Sequence, residues 1–317
     1  MPPTINTHPD MERLLAVKFS VNRDLDPESQ RDGWDEYRRA FERPYPASMR
    51  VNDYAMPAID DANPAVPIRV YRPDPAAEKS PFILYFHGGG FVKGDLNTSD
   101  TIAWGIAELS GAVVISVDYR LAPEHPFPAA SDDAFNALCY LAEQAGRFDL
   151  DAQRIAVCGD SAGANIAAAL CLMSRDRGGP AIKAQALNYP CLNDEFVAES
   201  YTRYAEGPGL TTADMTYYWE QYLGLHKPTD NGYAVPIKAQ NHAGLPPAHI
   251  HIAEIDPLAD DGRTYARLLE QAGVVSQLRV ANGMVHGYLR ARFDGTAAAA
   301  EFAAPCRFLH KHLFATG

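Results

Sequence analysis

Five residues, Gly159-Asp160-Ser161-Ala162-Gly163, constrain this chain more than any other stretch. They follow a short apolar run, Arg154-Ile155-Ala156-Val157-Cys158, and open an alanine-rich segment, Ala162–Met173. A G-x-S-x-G at a strand-to-helix junction predicts a sharp turn with the serine at its apex. Gly159 and Gly163 remove the Cβ atoms that would strike neighbouring backbone there. The Ser161 hydroxyl then stands exposed beside a helix N-terminus, which favours negative charge.

From about residue 81 the chain repeats this alternation. Apolar runs occur at Phe82–Phe86, Ala112–Val117, Ala184–Tyr189, Ala248–Ala253 and Val275–Val280. Runs of this kind suit strands covered on both faces, as in a parallel sheet. Asp132–Ala145, Ala162–Met173, Asp260–Ala272 and Thr296–Phe314 supply the helices, so the pattern predicts an α/β doubly wound domain.

Two regions break the alternation. In residues 1–45, Asp26-Pro27 reads as a helix start, with Trp34, Tyr37 and Phe41 on one face. In residues 193–226, Thr211–Asp214 reads as a capping box. Met215, Tyr218, Trp219 and Tyr222 then share a face, and Gly224 offers a stop. The aromatic density predicts either a helix packed on its own sheet or a lid over a site at the strand ends.

Charge and cysteine usage exclude several functions. With 28 Lys+Arg against 40 Asp+Glu, the 317 residues carry a net charge of −12, which repels phosphate backbones, so no nucleic-acid partner is expected. No run approaches the roughly 18 apolar residues of a spanning helix, so no membrane partner is expected. The first residues, MPPTINTHPDMERLL, lack the basic and apolar regions of a signal peptide. The five cysteines (139, 158, 171, 191, 306) show no CxxC spacing. That argues against a disulfide framework or zinc site and for a reducing, cytoplasmic setting with buried thiols, no metal and no cofactor.

A serine nucleophile needs a base, a group to orient the base, and donors for an oxyanion. His87-Gly88-Gly89-Gly90 follows the run Phe82–Phe86 and matches the HGGG pattern of lipases and esterases. Glycine lets backbone N–H groups approach a reacting carbonyl, so the expected donors are the amides of Gly88, Gly89 and Ala162. After G-x-S-x-G the partners follow in the order acid, then histidine. His8, His87 and His125 precede Ser161 and fail that order. His226 and His242 precede the next strand, His249 and His251 lie within it, and His310 and His312 sit in the last helix. His286 lies just past a strand, where a base can reach Ser161. Asp256 follows the strand Ala248–Glu254, whereas Asp260 and Asp261 read as the N-cap and first turn of the next helix.

HGGGF at 87–91, DYRLAPEHPFPAA at 118–130, GDSAG at 159–163, DPLADDG at 256–262 and HGY at 286–288 together resemble the hormone-sensitive-lipase-like family of α/β-hydrolases. The resemblance covers about residues 65–314. It departs at Ala164, where many members carry a further glycine. It implies an α/β-hydrolase fold, with a mostly parallel sheet flanked by helices, and a helical cap built from residues 1–45 and 193–226 over a catalytic domain, 46–317. It also implies a carboxylic-ester hydrolase with the triad Ser161, Asp256 and His286, acting on a small-molecule ester and compatible with a homodimer. The 118–130 stretch reads as a Pro-punctuated crossover with a structural role. Two alternatives stand beside this reading. One is an amidase or deacetylase using the same triad. The other is a non-catalytic receptor, as the gibberellin receptors resemble this fold but lack the histidine, which this chain retains at His286.

Overall fold

The computed structural model describes residues 6–17, 26–60, 64–75, 78–227 and 229–315. Among these, eight strands form one sheet: β1 (Met49–Met56), β2 (Val66–Pro73), β3 (Ser80–Phe86), β4 (Val113–Val117), β5 (Leu150–Asp160), β6 (Ile182–Asn188), β7 (Ala248–Ile255) and β8 (Ser276–Val285). Their spatial order is β1-β2-β4-β3-β5-β6-β7-β8. β2 pairs antiparallel with both β1 and β4, and the remaining pairs are parallel. The helices are α1 (Glu12–Ala16), α2 (Pro27–Arg39), α3 (Asp100–Ser110), α4 (Ala129–Glu143), α5 (Ala162–Arg177), α6 (Glu199–Arg203), α7 (Thr212–Leu223), α8 (Ala259–Gln271) and α9 (Thr296–Phe314).

The continuous apolar runs become strands buried on both faces because successive side chains point to opposite sides. In β3, Phe82, Leu84 and Phe86 join one core with Leu138 of α4, Ile166 of α5 and Leu269 of α8. Ile83 and Tyr85 face the other core, with Trp104 of α3 and Phe302 of α9. The alanines of α5 let that helix lie close to the sheet. A Cβ at Gly163 would fall 2.0 Å from the Phe86 carbonyl oxygen.

Both expected helix starts outside the alternation form. Asp26 accepts the Ser29 N–H at 3.0 Å with Pro27 as the first residue of α2. Thr211 and Asp214 make the reciprocal capping box of α7, which ends at Gly224. The other residues of the expected 1–45 segment lie partly outside the described residues. Asp260 is not the N-cap of its helix. Leu258 takes that place, and Asp260 and Asp261 stand in the first turn with their side chains directed at residues 192–201.

Candidate active site

The turn between β5 and α5 holds Ser161 at φ 55°, ψ −120°, a conformation costing of order 1–3 kcal/mol for a residue with a Cβ. The surroundings enforce it. Ser161 N–H donates to the Asn188 carbonyl at 2.9 Å, and the Asn188 side chain donates to the Gly159 carbonyl at 3.0 Å. A Cβ at Gly159 would fall 2.2 Å from the Gly163 carbonyl, so the turn closes only around glycine.

Strands β7 and β8 deliver the other two groups. β8 runs on to Val285, longer than its apolar run suggests, so His286 leaves the strand end directly. The Ser161 Oγ lies 2.9 Å from His286 Nε2, and His286 Nδ1 lies 2.7 Å from Asp256 Oδ2. A carboxylate on Nδ1 fixes the ring proton there, leaving Nε2 to accept the Ser161 hydroxyl. Asp256 is fully buried, and its second oxygen accepts the Leu258 N–H at 2.9 Å. The three residues singled out by chain order therefore meet in one hydrogen-bonded line.

Asp261 belongs elsewhere. Its carboxyl accepts the Leu192 and Asn193 N–H groups and the Tyr201 hydroxyl. Burial pushes it up to about 8, against the lowering effect of those donors. It ties the segment after β6 to α8.

The glycine loop departs from expectation at Gly88. Its N–H donates to Asp160 Oδ1 at 3.1 Å, so this amide is committed within the protein. The same oxygen accepts the Tyr85 hydroxyl at 2.5 Å. No described residue accepts the N–H of Gly89 or Gly90. Ala162 is the first residue of α5, where an N–H has no intrahelical partner. His87 is buried beneath the loop, stacked on Tyr119 at 4.3 Å between centroids. Burial holds its imidazole below the ordinary histidine range. Tyr119 donates to the His87 carbonyl at 2.6 Å, and Arg120 pairs with the buried Asp133 at 2.7 Å, so the 118–130 stretch buttresses this loop and α4.

A cavity of about 540 Å³ opens over Ser161 and His286. Its walls come from the two regions outside the alternation: Leu14, Trp34 and Tyr37 on one side, Leu210 and Tyr218 on the other. Lys93 and Arg290 also line it. Neither was singled out from sequence, where a lone cation carries no pattern. The available signal was the position of Lys93 inside an otherwise uncharged glycine loop. Among the described residues, no group of three His, Cys, Asp or Glu side chains could hold a metal ion, and no helix is long and apolar enough to cross a membrane.

A strained serine on a strand-to-helix turn, with a histidine and a buried aspartate from later strand ends, is the arrangement known from serine hydrolases on an α/β sheet. Residues 83–290 match the family described by the alpha/beta hydrolase fold. The chain is 42% identical over 283 residues to Esterase LipI of Mycobacterium tuberculosis, covering 87% of this chain and 85% of that one. It is 40% identical over 228 residues to the Ethyl acetate hydrolase of Pseudomonas putida, covering 71% and 72% of the two chains. The crystal structure of a thermostable esterase from Pseudomonas putida superposes with a TM-score of 0.92 at 30% identity, over 99% of this chain and 100% of that one. The chain belongs to the hormone-sensitive-lipase-like, bacterial carboxylesterase family of α/β-hydrolases. It is a carboxylic-ester hydrolase.

Proposed function

We propose that the protein cleaves short- to medium-chain esters of small molecules through an acyl-enzyme on Ser161. The observation that carries this reading is the line from Ser161 Oγ to His286 Nε2 (2.9 Å) and from His286 Nδ1 to Asp256 Oδ2 (2.7 Å) at the floor of the cavity. His286 takes the Ser161 proton as the oxygen attacks the ester carbonyl. Asp256 holds the ring tautomer and stabilises the imidazolium. The tetrahedral oxyanion is received by the amides of Gly89, Gly90 and Ala162. Gly90 takes the place first expected of Gly88, because the Gly88 amide is spent on Asp160. His286 then protonates the leaving alcohol, and water repeats the cycle on the acyl-enzyme. Residues 1–45 and 193–226 act as the cap that bounds the cavity over the 46–317 domain.

The test is labelling with a serine-directed fluorophosphonate followed by peptide mass spectrometry. The expected adduct is on Ser161, with loss of ester hydrolysis in step with labelling. Full activity in a completely labelled protein, or an adduct on another serine that tracks the loss, overturns the assignment.

A further inference from the structure

Lys93 closes the glycine loop that starts at His87, and its side chain is 1% exposed in the cavity wall. Nζ donates to the hydroxyl of Tyr218 on α7 and lies 5.5 Å from the Trp34 ring centroid on α2. Burying an ammonium there is costly. Burial pulls it down to about 7, against the opposing charge of Asp214. A methionine would fill similar space without that cost, so what the lysine adds is polar contact, the hydrogen bond to Tyr218 included.

That bond reaches the two glycines that line the cavity with amides accepted by no described residue. The Tyr218 ring lies against Gly90, where an added Cβ would fall 2.4 Å from ring carbons. The Lys93 main chain grips Gly89. Its N–H donates to the Gly89 carbonyl at 3.2 Å, and its own carbonyl oxygen would lie 1.9 Å from a Cβ on Gly89. Gly89 and Gly90 sit at φ +141° and +63°, so the loop depends on residues with little conformational stiffness of their own. Oxyanion donors act only when held in place before the charge develops. The stiffness must therefore come from outside the loop.

We propose that the Lys93–Tyr218 hydrogen bond is a brace that sets the Gly89 and Gly90 amides for the oxyanion, making both side chains positioning residues of the reaction. The inference rests on the serine-esterase reading above. It also gives α7 a part in the chemistry beyond bounding the cavity.

The experiment is a double-mutant cycle of Lys93→Met, Tyr218→Phe and the pair, assayed with p-nitrophenyl acetate. Affinity for a trifluoromethyl ketone, which forms a tetrahedral adduct on the serine, is measured alongside. Each single variant is expected to lower kcat about tenfold with KM within about twofold. That is less than the roughly hundredfold loss of deleting a donor outright. The double variant should be no worse than either single, because the two side chains act as one unit. Ketone affinity should fall by the same factor as kcat/KM. Tyr217→Phe is the control, since its hydroxyl accepts Gln30 Nε2 at 2.8 Å, a hydrogen bond between α7 and α2 separate from the Lys93–Tyr218 pair. It should keep wild-type kcat. If Lys93→Met does not fold, Tyr218→Phe keeps the ring on Gly90 and carries the test alone. Unchanged kcat and ketone affinity, strictly additive losses, or a rise in KM with kcat intact each overturn the brace. Fluorophosphonate labelling of wild-type Ser161 separates the two readings. Labelled Ser161 with wild-type kcat in Lys93→Met sinks the brace alone, whereas unlabelled Ser161 in active protein sinks the reading beneath it.

Discussion

The Asp160 carboxylate accepts the Gly88 amide at 3.1 Å, joining the residue before Ser161 to the first glycine of the loop after β3. The turn carrying the proposed nucleophile and the loop carrying the proposed oxyanion donors are thus one hydrogen-bonded unit. The Tyr85 hydroxyl, from β3, the strand that leads into the loop, donates to the same oxygen.

Asp160→Ala removes the acceptor of a buried N–H and leaves the Tyr85 hydroxyl short of a partner. An orphaned buried donor costs about 1–3 kcal/mol, so the variant should show a lower denaturant midpoint. Its kcat should fall as well, because the glycine loop loses its tie to the turn. Unchanged stability and turnover would show that water replaces the carboxylate without loss.

Ser161→Ala should reduce hydrolysis of p-nitrophenyl acetate by several orders of magnitude, leaving only the roughly 10³–10⁴-fold catalysis over water that binding and the oxyanion hole supply. Circular dichroism and Tm should match wild type or exceed it, since alanine still occupies the strained φ but removes a buried hydroxyl. Turnover near wild type contradicts the mechanism.

Two aspartates on the same short stretch should fail in different ways. Asp256→Asn should keep the fold and lose kcat steeply, since an amide opposite Nδ1 favours the wrong imidazole tautomer. Asp261→Ala should lose stability first, because the Leu192 and Asn193 amides and the Tyr201 hydroxyl lose their acceptor together. Paired kcat and denaturant-midpoint measurements separate them. Inactive Asp261→Ala at full stability, beside active Asp256→Asn, reverses the assignment of the acid.

The parallel strands and their helices were legible because burial on both faces leaves unbroken apolar runs such as Phe82–Phe86. β1 was not, since most of Met49–Met56 is exposed at the sheet edge and the alternation begun at Met49–Asn52 breaks at Asp53. α3 escaped for the opposite reason. Ile102 through Ala107 are all buried, so no polar face marks a helical period. At the site, chain order brought Ser161, Asp256 and His286 together on paper. Three consecutive glycines, however, look alike in sequence. Which amide is spent internally depends on Asp160 folding back onto Gly88, a contact between distant positions. Lys93 was silent for the same reason, as its partner Tyr218 comes from α7.

Lys93 also sets a pH dependence of stability. Burial lowers its ammonium to about 7 from an ordinary 10.5. Below about 7 it is charged in both the folded and unfolded chain, and the folded protein bears the full cost of burying it. Between about 7 and 10.5 the folded chain has released the proton and the unfolded chain has not. Unfolding then takes up a proton, and stability rises with pH from this group. The Tm of Lys93→Met minus that of wild type should therefore be most positive below pH 7 and decline steadily toward pH 10. A difference that stays flat across that window would mean Lys93 keeps its charge when folded.

Acyl-chain preference follows from the walls of the cavity. Trp34, Tyr37 and Tyr218 stand over Ser161 and His286 and leave about 540 Å³, within the range of sites that enclose a small ligand. Each methylene buried in such a space adds about 0.8 kcal/mol while it fits. Once the space is full, the next methylene must displace a ring or remain in water, and the gain turns into a loss. Efficiency on p-nitrophenyl esters should therefore climb from acetate, peak within about C2 to C8, and fall sharply toward palmitate. A net charge of −12 also disfavours docking on an anionic lipid surface, so emulsions should not activate the enzyme. Replacing Trp34 by alanine should move the peak to longer chains, because it removes the largest ring in the wall. A kcat/KM that still rises at palmitate in the wild type, or activation by lipid emulsions, would show an open trough in place of a bounded cavity.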